Sequence, residues 1–281
     1  MCEKKMEIEF TKMHGLGNDF VVIDATKQPF SLTSAQIQQM ANRRYGIGFD
    51  QMLVIEESQN RQADFGFRIF NADGGEVEQC GNGARCVALY IKERKLSKKL
   101  DIRLSTLGGI LETEHRPDQK IMVQMGVPRF EPQHIPFLTD KLANTYELPL
   151  NDQMVPISVV NVGNPHAVIM VDQLRSDEVQ GLGEKISRHS SFPQGVNVGF
   201  VQVIDTQQIR LRVYERGSGE TLACGSGACA AMVIGRRNGL LQERVTVTQP
   251  GGTLTIDWQG PQTMVKMTGP ATMVYHGKWQ G

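Results

Sequence analysis

GEVEQCGNGA at Gly75 to Ala84 and GETLACGSGA at Gly219 to Ala228 share six of ten residues, and reading the second as a repeat of the first decides the architecture. Glycine-rich turns supply single matches of this kind by chance, so the flanking sequence is the test. The spacing that lays Cys80 over Cys224 also lays Phe67, Arg68, Ile69, Phe70 and Asn71 over Leu211, Arg212, Val213, Tyr214 and Glu215. Apolar positions and the arginine stay in step. A spacing two residues longer sets Gly17 and Asn18 over Gly163 and Asn164, and Gln51 over Asn197, each ahead of an apolar run. Collinear matches at nearly one spacing mark a duplicated architecture.

Outward from the repeat, short runs such as Phe20 to Ile23, Met52 to Ile55, Phe65 to Phe70, Val198 to Val203 and Ile209 to Tyr214 are rich in β-branched and aromatic residues. Gly, Asn, Asp or Pro separates most of them, which reads as strands joined by turns. Ser34 to Asn42 reads as a helix behind a Ser or Thr cap. Ala84 to Arg94 and Ala228 to Arg237 carry apolar residues round most of their circumference and read as buried helices. The stretch Pro128 to Pro156, with Pro132, Pro136 and Pro149 between, suits a domain connection. The expected division is an N-terminal half over 1–125, completed by a C-terminal strand at 270–281, and a second half over 126–269.

Thirty Lys and Arg balance thirty Asp and Glu among 281 residues, giving a formal net charge of +0. That removes the broad basic field of non-specific nucleic-acid binding, so no nucleic-acid partner is expected. No run approaches the ~18 apolar residues of a membrane span, and MCEKKMEIEF carries charges where a secretory signal has its apolar core. A cytoplasmic chain without a membrane partner is expected. The five cysteines, Cys2, Cys80, Cys86, Cys224 and Cys229, are an odd number at low density and read as thiols. Cys2, Cys86 and Cys229 fit the role of small buried hydrophobes. The spacings lack the Cys-x-x-Cys form of zinc sites, so no metal is expected.

Cys80 and Cys224 stand just before the two buried helices. Free N–H groups and the helix dipole there favour an anion, which shifts a thiol towards thiolate and suits a carboxylate on Gly81 and Asn82 or on Gly225 and Ser226. If the halves face each other about a pseudo-twofold axis, the thiols confront one another across a ligand-sized gap. Inverting an amino-acid stereocentre needs a base on one face and an acid on the other, and two thiols supply both. The matched pairs Asn18 and Asn164, Gln51 and Asn197, and Asn71 and Glu215 would converge on the same polar ligand. A thiol-redox protein and an amino-acid-binding protein without chemistry remain alternatives, although the Cys-x-x-Cys pair of the former is missing.

The chain resembles the diaminopimelate epimerase family. The resemblance is carried by FTKMHGLGNDF at Phe10 to Phe20, GFDQ at Gly48 to Gln51, NADGGEVEQCGNGARC at Asn71 to Cys86, GNPHAV at Gly163 to Val168, GVNVGF at Gly195 to Phe200, and YERGSGETLACGSGACA at Tyr214 to Ala230. It implies an α+β fold of two pseudo-symmetric β-rich domains, each a mixed sheet or barrel wrapped around a central helix, with the active site in the interdomain cleft. The implied activity is cofactor-independent interconversion of LL- and meso-diaminopimelate in bacterial lysine and peptidoglycan precursor synthesis. By resemblance, Cys80 and Cys224 are the acid/base pair, and the reacting carboxylate rests on Gly81, Asn82, Gly225 and Ser226. Asn18, Asn71, Asn164, Asn197 and Arg216, with Gln51 nearby, would grip the distal end of the substrate. His166 and Glu215 would tune the thiols or hold the substrate ammonium. The resemblance also implies a homodimer. Another two-thiol racemase of a small amino acid is the nearest alternative among enzymes.

Overall fold

The computed structural model describes residues 7–150 and 153–281; Cys2 lies outside them. Two compact units are present, one comprising the chain through Val123 together with Gly269–Gly281, the other Gln124–Thr268.

The first unit begins with β1 (Glu7–Gly15) and β2 (Asn18–Asp24), an antiparallel pair. Helix α1 (Ser34–Ala41) carries the chain to β3 (Gln51–Glu57), which runs parallel to β2. Thr33 caps α1 by accepting the Gln36 N–H, and Gln36 returns a bond to the Thr33 N–H, closing a capping box. Next come β4 (Phe65–Asn71), antiparallel to β3, and the short β5 (Glu76–Val77). Helix α2 (Gly81–Glu93) leads to β6 (Asp101–Thr106), parallel to β4. β7 (Gly109–His115) and β8 (Ile121–Gln124) follow as an antiparallel meander. Ile8, Val21, Ile23, Ile37, Met40, Met52, Val54 and Phe70 pack together in one core of this unit.

The second unit repeats the scheme pair by pair. β9 (Tyr146–Leu150) lies antiparallel to β10 (Gln153–Asn161), and β10 to β11 (Pro165–Met170). Helix α3 (Ser176–Ser187) connects β11 to a parallel β12 (Asn197–Asp205). β13 (Gln208–Glu215) and the short β14 (Gly219–Thr221) continue antiparallel, and α4 (Gly225–Arg237) leads to β15 (Arg244–Gln249), parallel to β13. β16 (Gly252–Asp257) and β17 (Lys266–Gly269) close the meander. The last strand, β18 (Thr272–Gln280), returns to the first unit and pairs with β1, as β9 pairs with β10. The duplication read in the sequence is therefore a duplication of strand pairing, and each unit is mixed β-sheet around one buried helix.

Residues Asn82 to Ala88 of α2 are buried without interruption, as are Gly227 to Gly235 of α4. A helix apolar on all sides is the form that a sheet wraps rather than one that lies on a surface. Both helices start three residues earlier than the apolar pattern alone indicates, because their first turns are glycine-rich. Among the described residues no helix is long and apolar enough to cross a membrane.

Two expectations are corrected. Helix α3 has no counterpart among the helices read from the sequence, since Gly181 and Gly183 weaken its signal and no side chain caps it. Gly183 is required by packing: a Cβ there would lie 2.6 Å from Cβ of Tyr214. The stretch Pro128 to Pro156 is not a connection between units. It belongs to the second unit, where Ile135, Phe137, Leu148 and Val155 enter the core and the Phe137 ring stacks on Phe192 with centroids 4.8 Å apart.

Candidate active site

The candidate residues form two sets, one in each unit. In the first, β4 delivers Asn71 and the turn after β5 delivers Cys80 to the N-terminus of α2. Cys80 is the N-cap, in extended backbone conformation, and its Sγ accepts the Gly83 N–H at 3.2 Å. A Cβ at Gly83 would come within 3.0 Å of Leu53 and 3.3 Å of this sulfur, so glycine allows the close approach. The Cys80 carbonyl accepts the Ala84 N–H and starts the helix. Gly81 and Asn82, the first two helical residues, have N–H groups with no carbonyl partner within the helix.

The second unit repeats this arrangement. Cys224 caps α4, its Sγ accepting the Gly227 N–H at 3.4 Å and its carbonyl the Ala228 N–H. The expected thiolate shift is corrected here. Burial and the neighbouring Glu215 raise the Cys224 thiol well above its ordinary value, although the Ser226 hydroxyl and the Gly227 N–H work in the opposite direction. Desolvation outweighs the helix N-terminus at a cysteine only 4% exposed. Cys80 is the more accessible of the two.

Side chains around each cap are fixed by hydrogen bonds. In the first unit Asn82 Nδ2 donates to Asn18 Oδ1 at 3.2 Å, and Asn18 Nδ2 donates to Asp50 Oδ2 at 2.9 Å. Asp50 also accepts from Arg43. Burial pushes the neighbouring Asp19 up, but hydrogen bonds from Arg43 and Lys12 bring it down to about 2, so it stays a carboxylate. Gln51 Nε2 donates to Asn71 Oδ1 at 2.9 Å across the β3–β4 ladder. In the second unit His166 Nε2 lies 2.8 Å from Asn164 Oδ1 and 3.0 Å from Ser226 Oγ. Burial, then the charge of Arg216, lower the His166 pKa to about 3, which makes it a neutral imidazole. Buried Asn197 accepts the Arg216 N–H, while Arg216 Nη1 reaches the Gln194 carbonyl at 2.6 Å. The carboxylate of Glu215 accepts from the Thr221 hydroxyl at 2.5 Å.

The register of the sheets makes the equivalences explicit. Gln51 pairs with Phe20 in the first unit as Asn197 pairs with His166 in the second. Among the predicted residues, hydrogen bonds join Asn18 to Asn82 and Gln51 to Asn71 in the first unit, and His166 to Asn164 and Ser226 and Asn197 to Arg216 in the second. Sequence reasoning missed Asp50, although it lies in the quoted GFDQ motif, and Thr221. It also missed Gln249, whose Oε1 accepts the Cys224 N–H at 2.8 Å. Cys86 and Cys229 are fully buried, and burial pushes the Cys86 thiol up to about 12. Among the described residues no three His, Cys, Asp or Glu side chains gather as metal ligands would.

The duplicated fold is shared with a solved epimerase structure. A hydroxyproline epimerase from Agrobacterium vitis superposes with a TM-score of 0.74 at 14% identity, over 100% of this chain and 94% of that one. The sequence pattern of the family described as Diaminopimelate epimerase matches residues 10–131 and 158–274. A diaminopimelate epimerase of Coxiella burnetii is 63% identical over 274 residues, 98% of this chain and 99% of that one. One from Chromobacterium violaceum is 52% identical over 273 residues, 97% of this chain and 99% of that one. The family match and the identity to these relatives make the chain an isomerase. The chain belongs to the diaminopimelate epimerase family.

Proposed function

We propose that the chain interconverts LL- and meso-diaminopimelate without a cofactor, with Cys80 and Cys224 as the acid/base pair. The observation that carries this reading is the matched capping of α2 and α4 by cysteine sulfurs, each held by the N–H of the third helical residue. A thiolate takes the α-proton and becomes a thiol, the other thiol delivers its proton to the opposite face and becomes a thiolate, and the two roles exchange in the reverse direction. The reacting carboxylate is assigned to the first-turn N–H groups of Gly81, Asn82, Gly225 and Ser226. There the aligned peptide dipoles also stabilise the negative charge that develops when the proton leaves.

The distal ammonium and carboxylate are assigned to Asn18, Gln51, Asn71, Asn164, Asn197 and Arg216. Glu215 serves both the substrate ammonium and the protonation of Cys224, and His166 acts on Cys224. The resemblance to the family supports a cytoplasmic homodimer. Incubating the reduced protein with diaminopimelate in heavy water tests the reading. Loss of the α-proton signal supports it, whereas binding with the signal retained would mark a binding protein instead.

A further inference from the structure

With the Asn164 amide oxygen facing the ring, the hydrogen bonds around His166 take one direction. Asn164 Oδ1 can only accept, so the His166 Nε2 that lies 2.8 Å away carries the proton. The same Nε2 is 3.0 Å from Ser226 Oγ, which therefore accepts as well. The Ser226 proton is left to donate, and Cys224 Sγ lies 3.5 Å from its oxygen. His166 Nδ1 is buried without a hydrogen-bond partner. An orphaned buried N–H is rarer than an under-used acceptor, so an unprotonated Nδ1 agrees with the proton on Nε2.

We propose that the Ser226 hydroxyl is a hydrogen-bond donor to the Cys224 sulfur and that His166 is the positioning residue that fixes its direction. The inference rests on Cys224 being one of the acid/base pair, and it adds how a buried thiol with a carboxylate beside it can still take its turn as thiolate. Glu215 on β13 faces Cys224 and favours the protonated form. Gln249 on β15 holds the Cys224 N–H rather than its sulfur. Arg216 acts on His166 and helps keep it neutral. The donors that offset burial and Glu215 at the sulfur are thus the Gly227 N–H and the Ser226 hydroxyl.

The His166–Ser226 pair is not repeated at the matched positions of the first unit. The position matched to His166 is Phe20, which has no donor, and the position matched to Ser226 is Asn82, whose amide goes to Asn18.

Thiolate ultraviolet absorbance against pH tests this without substrate and without reagent access to a buried sulfur. In a Cys80→Ala background, subtracting the trace of the Cys80→Ala/Cys224→Ala protein leaves the step belonging to Cys224. Ser226→Ala should raise its midpoint by about one pH unit or more, the effect of losing a hydrogen bond to a charged group. Ser226→Thr, which keeps the hydroxyl, should leave it near the parent value. His166→Phe, a ring that the matched position already accommodates, should raise the midpoint, and adding Ser226→Ala should raise it little further, because both act through one bond. An unmoved midpoint in Ser226→Ala, or additive shifts in the double variant, would overturn the relay. Failure of α-proton exchange with diaminopimelate would remove the substrate assignment while leaving this substrate-free result intact.

Discussion

The side-chain oxygen of Gln249 accepts the backbone N–H of Cys224 at 2.8 Å, and both residues are buried. The bond ties the end of β15 to the cap of α4. Gln249→Leu fills similar volume but leaves that N–H without its acceptor, which should cost about 1 to 3 kcal/mol of stability. Turnover should fall more than substrate affinity, because the sulfur loses its fixed position. Urea denaturation and steady-state kinetics check this; unchanged values in both would show that the bond positions nothing.

Arg85 is fully buried on α2, and its Nε donates to the Pro270 carbonyl at 3.1 Å. It fastens the central helix to the segment that leads into β18. Arg85→Ala removes a large side chain from a packed interior and should destabilise the chain by about 3 kcal/mol or more. A thermal melt shows it. A midpoint within a degree of the parent would mean that the segment is held by β1 alone.

Asp50 is a prediction about affinity rather than folding. Its carboxylate holds Asn18 Nδ2, leaving Asn18 Oδ1 for Asn82. Asp50→Ala frees the Asn18 amide to turn, and KM for diaminopimelate should rise about tenfold, equivalent to about 1.4 kcal/mol of binding. An unaltered KM would remove Asn18 from substrate recognition.

Burial holds His166 at about 3 in the folded chain, below the ~6.5 of an exposed imidazole. Between those values the unfolded chain binds a proton that the folded chain refuses. Stability therefore rises with pH through that window, by up to about 1.4 kcal/mol per unit, and is fully present only above the unfolded value. Asp19, held at about 2, acts with the same sign at lower pH. Comparing urea midpoints of the parent and His166→Phe between pH 6.5 and 4.5 isolates the imidazole. The variant should show the flatter profile, and identical slopes would contradict a neutral, buried His166.

The repeat was legible because each half must build the same cap: Gly-x-Gly-Ala after a cysteine leaves no side chain between the sulfur and the third N–H of the helix. The same alignment set Gln51 and Asn197 at matched positions, and they hold matching register positions beside Phe20 and His166. Helix α3 was not legible, since Gly183 is there to admit Tyr214, a contact between distant segments. The proline-rich stretch misled for a related reason. Its prolines signal turns, but Ile135, Phe137 and Leu148 between them are core residues, and the apolar content was the better guide. Gln249 and Arg85 act through partners far away in sequence, and neither has a like residue at the matched position of the other half. Elevation of the Cys224 thiol was also hidden, because a helix N-terminus is visible in sequence and its degree of desolvation is not.

Interconversion of LL- and meso-diaminopimelate by Cys80→Ala and Cys224→Ala, each alone, tests the central claim most directly. Cys86→Ala and Cys229→Ala serve as controls for removing a buried sulfur. With an acid and a base required on opposite faces, each of the first two variants should lose turnover by orders of magnitude, while the controls keep it and lose about 1 kcal/mol of stability. Near-parental epimerisation by either Cys80→Ala or Cys224→Ala would contradict the two-thiol account.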